Sequence, residues 1–354
     1  MSMNGFKVAF TSVLFVLLMA QLPCYSQLSQ TKRYEREQKN SDDYFNIISL
    51  KDEGLALFRE RDKYRSNKQV WELILLDTAL QEKSTIELEI NERYKMVGYE
   101  IAPGNLYLLY RTGETTKNDF EIIAVDLHNK ETVRYQIKPE LDFKLTHFIK
   151  AGNNFVFGGY VNNEPAILLY ELPDKHIKVI PGFFQKDTEL VDLRTNQNQT
   201  FNTVLIDRGS KENRKLVLRT FDETGKQLLE DVVAIEEKKS LQTGITSALE
   251  REDLAVMGTW GERNSKQSVG FYFLHVDPFQ EQKITYVDFG QMAHYLDYLS
   301  PKRAERIKQN SRHDAAAGRV PNYMNYVMPF KVTEYPHGFL LLAEVYNPVS
   351  TLNP

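Results

Sequence analysis

A short motif recurs along this chain at intervals of about fifty residues. Each copy begins with Gly, Asn or Asp and continues as an apolar run: GLALF at Gly54, NLYLLY at Asn105, NFVFGG at Asn154, NTVLI at Asn202, DLAVMG at Asp253 and GFLLLA at Gly338. The separations are 51, 49, 48, 51 and 85 residues. The last is anomalous until Asp288 to Val320 is set aside. Those 33 residues read as an insertion, and 85 less 33 leaves 52.

Within each copy a second apolar run follows a polar loop: VWELILLD from Val70, FEIIAVDL from Phe120, AILLYEL from Ala166, KLVLRTFD from Lys215 and VGFYFLHVD from Val269. A third run follows a short turn, as in STIELEI, ETVRYQI and HIKVI, and a weaker one precedes the anchor, as in FNIISL and LTHFIKAG. Four short strands in about fifty residues predict β-propeller blades. A four-stranded sheet cannot bury both faces alone, whereas blades stacked side by side cover each other and leave only short edges. The near-continuous apolar second run suits a strand covered on both faces. A β-sandwich or an up-and-down barrel is the competing architecture, and neither explains a fifty-residue period as simply. The 19 Tyr and 20 Phe also favour strands, where flat side chains fit a pleated surface.

The expected organisation is a leader over 1–26, a flexible polar spacer over 27–43, five blades over 44–287, a helical basic insertion over 288–320 and a partial sixth blade over 321–354. In the leader, Lys7 precedes an apolar run from Val8 to Ala20, and Cys24 and Ser26 occupy the small-residue positions before Gln27. That pattern is a secretory signal peptide. Lipidation at Cys24 and a retained membrane anchor are the alternatives; Pro23 weakens the first, and the early stop at Gln21 and Pro23 weakens the second. The sixth unit shows only YVMPFKV and GFLLLAEVY, which predicts a truncated or open ring.

No catalytic signature stands out: no phosphate-binding glycine loop, no nucleophile elbow and no calcium loop. The expectation is therefore no catalytic residue, no metal and no cofactor. The seven histidines are scattered, with His147 and His275 inside strands, where a structural role is the ordinary one. Carboxylates recur at the end of the second run: Asp77, Asp126, Glu171, Asp222 and Asp277. A ring of them could hold a cation or act as an acid–base pair; the plainer reading is turn chemistry, because Asp accepts from backbone N–H groups two residues on. NQT at Asn198 matches a glycosylation acceptor, a motif frequent by chance.

The insertion divides in two. FGQMAHYLDYL places Phe289, Met292, Leu296 and Leu299 at helical spacing, an apolar stripe able to dock on a blade. Ser300 and Pro301 then read as the cap and first turn of a second helix, closed by Gly318. From Pro301 to Arg319 six basic residues (Lys302, Arg303, Arg306, Lys308, Arg312, Arg319) meet two acidic ones, a net of +4. The remainder of the chain after the leader then carries −9. Lys302, Arg303, Arg306, Lys308 and Arg312 are the candidate contacts to an envelope protein or an anionic surface. The acidic overall balance argues against nucleic acid.

YLSPKRAERIK followed by a strand pair ending LLLAEVYNP resembles exported β-propeller proteins of uncharacterised function from Gram-negative envelopes. The resemblance covers about the last 65 residues, with weaker support from the repeats. It implies a propeller fold and a periplasmic or outer-surface location, and it transfers no catalytic residue. The expected function is a non-enzymatic interaction scaffold; the alternative is a carbohydrate-active or other hydrolytic propeller using clustered carboxylates.

Overall fold

The computed structural model describes residues 32–39, 41–112, 119–209, 214–248, 254–263, 265–277, 282–323, 325–346 and 348. The leader, with Lys7, Cys24 and Ser26, lies outside the described residues. The chain divides into two compact units, 1–91 and 92–354.

The first unit holds one antiparallel sheet, β1 (Asn46–Ser49), β2 (Leu55–Arg65), β3 (Lys68–Leu76) and β4 (Glu82–Ile90), paired in chain order. Gly54, the first anchor, opens β2 at φ +114, and a Cβ there would collide with the Leu76 carbonyl. β3 is the central buried strand, with Val70, Leu73 and Ile74 fully covered.

The second unit repeats this plan. Blade two is β5 (Tyr94–Ala102), β6 (Asn105–Thr112), β7 (Phe120–Asp126) and β8 (Thr132–Ile137). Blade three is β9 (Lys144–Ala151), β10 (Asn154–Val161), β11 (Glu164–Glu171) and β12 (His176–Ile180). Blade four is β13 (Thr188–Thr195), β14 (Phe201–Asp207), β15 (Lys215–Phe221) and β16 (Gln227–Ala234). In blade five the innermost strand is split into β17 (Lys239–Leu241) and β18 (Ile245–Thr246), followed by β19 (Leu254–Glu262), β20 (Gly270–Val276) and β21 (Thr285–Asp288). Blade six has two strands, β22 (Tyr326–Tyr335) and β23 (Gly338–Tyr346). The fold is thus a β-propeller of four-stranded blades, as the repeat predicts, with each described anchor at the start of a blade's second strand; Asp253 lies outside the described residues. Separate sheets of sequential strands exclude the sandwich and the barrel.

Apolar layers join successive sheets. Leu109, Phe120 and Ile122 of blade two meet Phe155, Phe157 and Leu168 of blade three. Val156, Ile167 and Leu169 meet Leu190, Leu205 and Phe221 of blade four. Leu216 and Leu218 meet Leu254, Val256 and Leu274 of blade five. Fully burying each such side chain is worth about 1.5–3 kcal/mol, so the inter-blade faces are where the unit's stability resides.

The insertion follows β21. Its first half is not a helix of the kind the apolar spacing predicts. A single 3-10 turn spans Phe289–Gln291, and non-helical turns continue to Leu299. Asp288 caps the 3-10 turn while Gln291 reaches back to the Asp288 N–H, and Met292, which is extended, ends it. Phe289 and Leu296 are buried, while Met292 and Leu299 are half-buried. The second half is helix α1 (Pro301–Ala316), with Ser300 at the N-cap position but making no side-chain cap bond. It ends as expected at Gly318, φ +66: Gly318 N–H donates to Ala315 O and Arg319 N–H to Asp314 O, a Schellman closure.

Candidate functional site

Two places in the second unit bring together chemistry-bearing side chains: the attachment of α1, and a cleft among blades three to six.

Asp288, at the end of β21 and 7% exposed, organises the attachment. Its Oδ1 accepts from Gly290 N–H at 2.6 Å, from the Ser311 hydroxyl of α1 at 3.2 Å and from the Tyr323 hydroxyl. Gly290 is required there, since a Cβ would lie 2.9 Å from Ser311 Cβ. Burial, and then the bond to Asp288, push the Tyr323 phenol up. Phe289 stacks on Tyr295 at 4.1 Å and meets Phe271 and Tyr323 edge-on. Of the residues expected to dock the helix, Phe289 and Leu296 are fully covered. Asp288, Gly290, Ser311 and Tyr323 were not anticipated; the polar residue at the strand end followed by Phe-Gly was the available signal.

Of the predicted basic contacts, Lys302, Arg303, Arg306 and Arg312 are exposed and Lys308 is half-buried. Lys308 donates to the Ala293 carbonyl at 3.3 Å, and Arg312 pairs loosely with Glu305 at 3.9 Å. Among the described residues the side chains of Lys302, Arg303 and Arg306 have no ion-pair or hydrogen-bond partner. Arg319 is held by Asp314 at 2.7 Å.

The recurring carboxylates sit on the turn after the third strand of each complete blade. Asp77 accepts from Ala79 and Gln81 N–H, Asp126 from His128 and Asn129, and Asp222 from Thr224 and Lys226. Those backbone bonds hold Asp126 below the usual carboxylate range. Glu171 pairs with Lys178 at 2.9 Å. Turn chemistry accounts for Asp77, Asp126 and Asp222. Asn198 likewise accepts from Thr200 within its own turn. Trp71 is half-buried and stacks on Phe58 at 4.7 Å, and Trp260 is buried and donates to Val287 O. Among the described residues no group of three or more His, Cys, Asp or Glu is placed to hold a metal ion. Among them, too, no helix is long and apolar enough to cross a membrane.

The cleft, of about 730 Å³, depends on a feature the periodicity did not reveal. The innermost strand of successive blades carries one extra residue. The register slips at Val97 in β5, at Thr146 in β9, at Val191 in β13 and at Phe330 in β22. In blade five, Gln242 to Gly244 separate β17 from β18 opposite Gly258 and Thr259. Such bulges re-aim side chains out of the pleat, and Thr146, Val191 and Gln242 to Gly244 line the cleft. Gly159 and Gly258 in the second strands permit the close approach; a Cβ on either would strike the Lys144 or Thr243 carbonyl. Glycine at the end of the anchor runs NFVFGG and DLAVMG was the only trace in the sequence.

Polar bonds tie the inner strands together. Tyr160 of blade three accepts from Leu190 N–H at 3.1 Å, and Asp192 of blade four accepts from Thr246 N–H and hydroxyl at 2.7 Å each. Arg208, after β14, pairs with Glu189 and donates to the Leu241 and Gln242 carbonyls of blade five. His147 bonds the Thr146 hydroxyl through Nδ1. Burial holds its pKa below the usual histidine value against the opposing pull of Asp192, the Val191 backbone and Glu189. His147 is therefore a neutral hydrogen-bonding group at pH 7.

No family model matches the chain, and no curated protein matches it. Among solved structures, the chain is similar to prolyl oligopeptidase B from Galerina marginata at 12% identity and TM-score 0.45, over 70% of this chain and 34% of that one. It is similar to the β-propeller domain of the Trilobed protease from Pyrococcus furiosus at 12% identity and TM-score 0.37, over 56% and 58%. It is also similar to the Synechocystis apocarotenoid oxygenase at 9% identity and TM-score 0.42, over 69% and 61%. The chain thus spans about a third of the length of the oligopeptidase and less than two thirds of the other two.

Proposed function

We propose that this protein is an exported, non-enzymatic β-propeller that presents α1 to an acidic protein surface. The observation that carries the reading is the state of Lys302, Arg303 and Arg306. They are three exposed cations on one helix, without partners among the described residues, on a helix anchored from its other side through Ser311. A charge of +4 over Pro301–Arg319 against −9 on the rest of the chain after the leader orients and speeds association with an acidic patch. The exposed positions of α1 otherwise hold Pro301, Glu305, Gln309, Asn310, Arg312, His313, Ala315 and Ala316. A helix lying in a lipid surface would present large apolar side chains there, so a protein partner suits α1 better than membrane insertion. The turn bonds of Asp77, Asp126 and Asp222 support binding over hydrolysis by shared carboxylates. Export, to a periplasm or outer surface, is supported by the run Val8 to Ala20 and the small residues before Gln27.

Replacing Lys302, Arg303, Arg306 and Lys308 together by Gln tests the docking role. Retention on immobilised poly-glutamate at low salt should weaken by about tenfold or more, equivalent to roughly 1.4 kcal/mol. The melting temperature should stay nearly unchanged, since exposed ion pairs contribute little. A variant that melts early and is retained like the wild type would show that the helix is only structural cover.

A further inference from the structure

The cleft among blades three to six is lined by residues outside α1. Among the described residues its lining contains four cations, Arg208, Arg214, Arg263 and Lys266, against one carboxylate, Glu189. Glu189 is already paired with Arg208. Arg214 is 5% exposed and, among the described residues, its side chain donates to backbone carbonyls, those of Glu237 and Lys239. Burial, and next the neighbouring charge of Arg263, disfavour its protonated form against the pull of Asp207, so an incoming anion would offset the repulsion from Arg263. Lys266 is exposed and has no ion-pair or hydrogen-bond partner among the described residues. Ser240 and Ser265 also line the cleft.

The wall contributed by blade six has the opposite character. Val327, Met328 and Pro329 of β22 and Tyr346 of β23 face the cleft. Met328 is 43% and Tyr346 41% exposed, large apolar surfaces left open at the edge of a concave site. A cleft of about 730 Å³ falls within the range that holds a small organic molecule, roughly 300–1,000 Å³. A strongly hydrated polyanion would gain from the cations but lose against the apolar wall; a neutral apolar molecule would leave Lys266 uncompensated.

We propose that the cleft binds a small organic monocarboxylate bearing an apolar or aromatic group. The carboxylate lies toward Arg214, Arg263 and Lys266, and the apolar body lies against Val327, Met328 and Pro329. The cations supply charge-assisted hydrogen bonds, and the blade-six wall supplies desolvation.

The test titrates the full chain calorimetrically with three probes: N-acetylphenylalanine, its carboxamide, and acetate. The acid should bind, and the carboxamide should bind at least about tenfold more weakly because it lacks only the charge. Acetate should bind more weakly still than the acid, because it lacks the apolar body. Lys266→Gln should weaken the acid several-fold without moving the melting temperature, and Met328→Ala should weaken acid and carboxamide alike. The quadruple Gln variant of α1 should bind the acid as the wild type does, which separates this site from the docking helix. Equal affinity for acid and carboxamide, no binding of either, or wild-type affinity in Lys266→Gln would each overturn the assignment.

Discussion

Two peripheral segments are each fastened to a sheet through buried carboxylate chemistry, and they are fastened in opposite ways. In the first unit, the described part of the segment read as a polar spacer has no helix or strand, yet it lies on β2–β4 through ion pairs. Arg36 reaches Glu72 at 2.8 Å, and Tyr34 donates to Glu82 at 2.7 Å. Beneath them Arg59, 1% exposed, meets Glu72 at 2.7 Å and Asp42 at 3.6 Å. Arg61 bridges the same two acids, at 3.1 and 3.2 Å, and Phe45 lies 4.1 Å from the Arg59 guanidinium. In the second unit, Asp288 holds the insertion with neutral donors only: a backbone N–H, a serine and a tyrosine. Ionic clamping tolerates imprecise geometry but makes each member dependent on the others' charge. A hub of neutral donors depends on direction and distance, and losing one donor leaves the rest intact.

The largest effect that separates them should come from Arg59→Met. It leaves Glu72 and Asp42 buried with too little positive charge, and removing one partner of a buried ion pair costs about 3–5 kcal/mol. Urea unfolding, with hydrogen exchange followed on β2 and β3, should show the loss localised to residues 32–91. A loss below about 1 kcal/mol would mean that the network is hydrated and that the comparison fails.

Asp288→Asn should cost less, about 2 kcal/mol, because hydrogen bonds to a charged acceptor are weakened and not stranded. Its readout is faster proteolysis within 289–320 while protection in β19 and β20 is retained. Global unfolding instead would show that Asp288 holds blade five itself.

The smallest effect is in pH, and it has opposite signs in the two regions. Burial raises the Asp42 pKa, but the Asp62 N–H and Arg61 bonds outweigh it and hold the group below its ordinary 3.8. Its contribution is therefore complete above that value and is lost as pH falls through the depressed one. Tyr323 is raised above its ordinary 10. Its contribution is complete below 10 and is lost as pH rises toward the raised value. Acid should loosen the segment at 32–43 first, and alkali the insertion first. Asp42→Asn should flatten the acid limb and Tyr323→Phe the alkaline limb, as read by hydrogen exchange; a limb that persists in its variant would assign it to other groups.

The sheets were legible because a blade is a local object. Anchors at Gly54, Asn105, Asn154 and Asn202 mark places where the chain turns into a covered strand, and only nearby residues decide that. Asp77, Asp126 and Asp222 were legible as turn residues for the same reason, since their hydrogen-bond partners lie two to four residues away. Helix α1 and its Gly318 closure follow from a proline start, a charged run and a glycine stop.

The sequence by itself determined the strand count, the period, the position of the insertion and the basic helix within it. The tertiary structure decided everything that rests on partners far apart in the chain. Spacing alone assigned a helix to Phe289–Leu299, whereas the backbone turns extended at Met292 and leaves one 3-10 turn. The polar residues Arg36 and Asp42 look solvated until Arg59 and Glu72 are placed beside them. The bulges at Thr146 and Val191 shift a strand by one residue, which barely alters an apolar pattern yet places residues of two blades in the lining of one cleft. Periodicity records which residues are covered from water; it carries no information about which distant group does the covering, and a binding site is made of those groups.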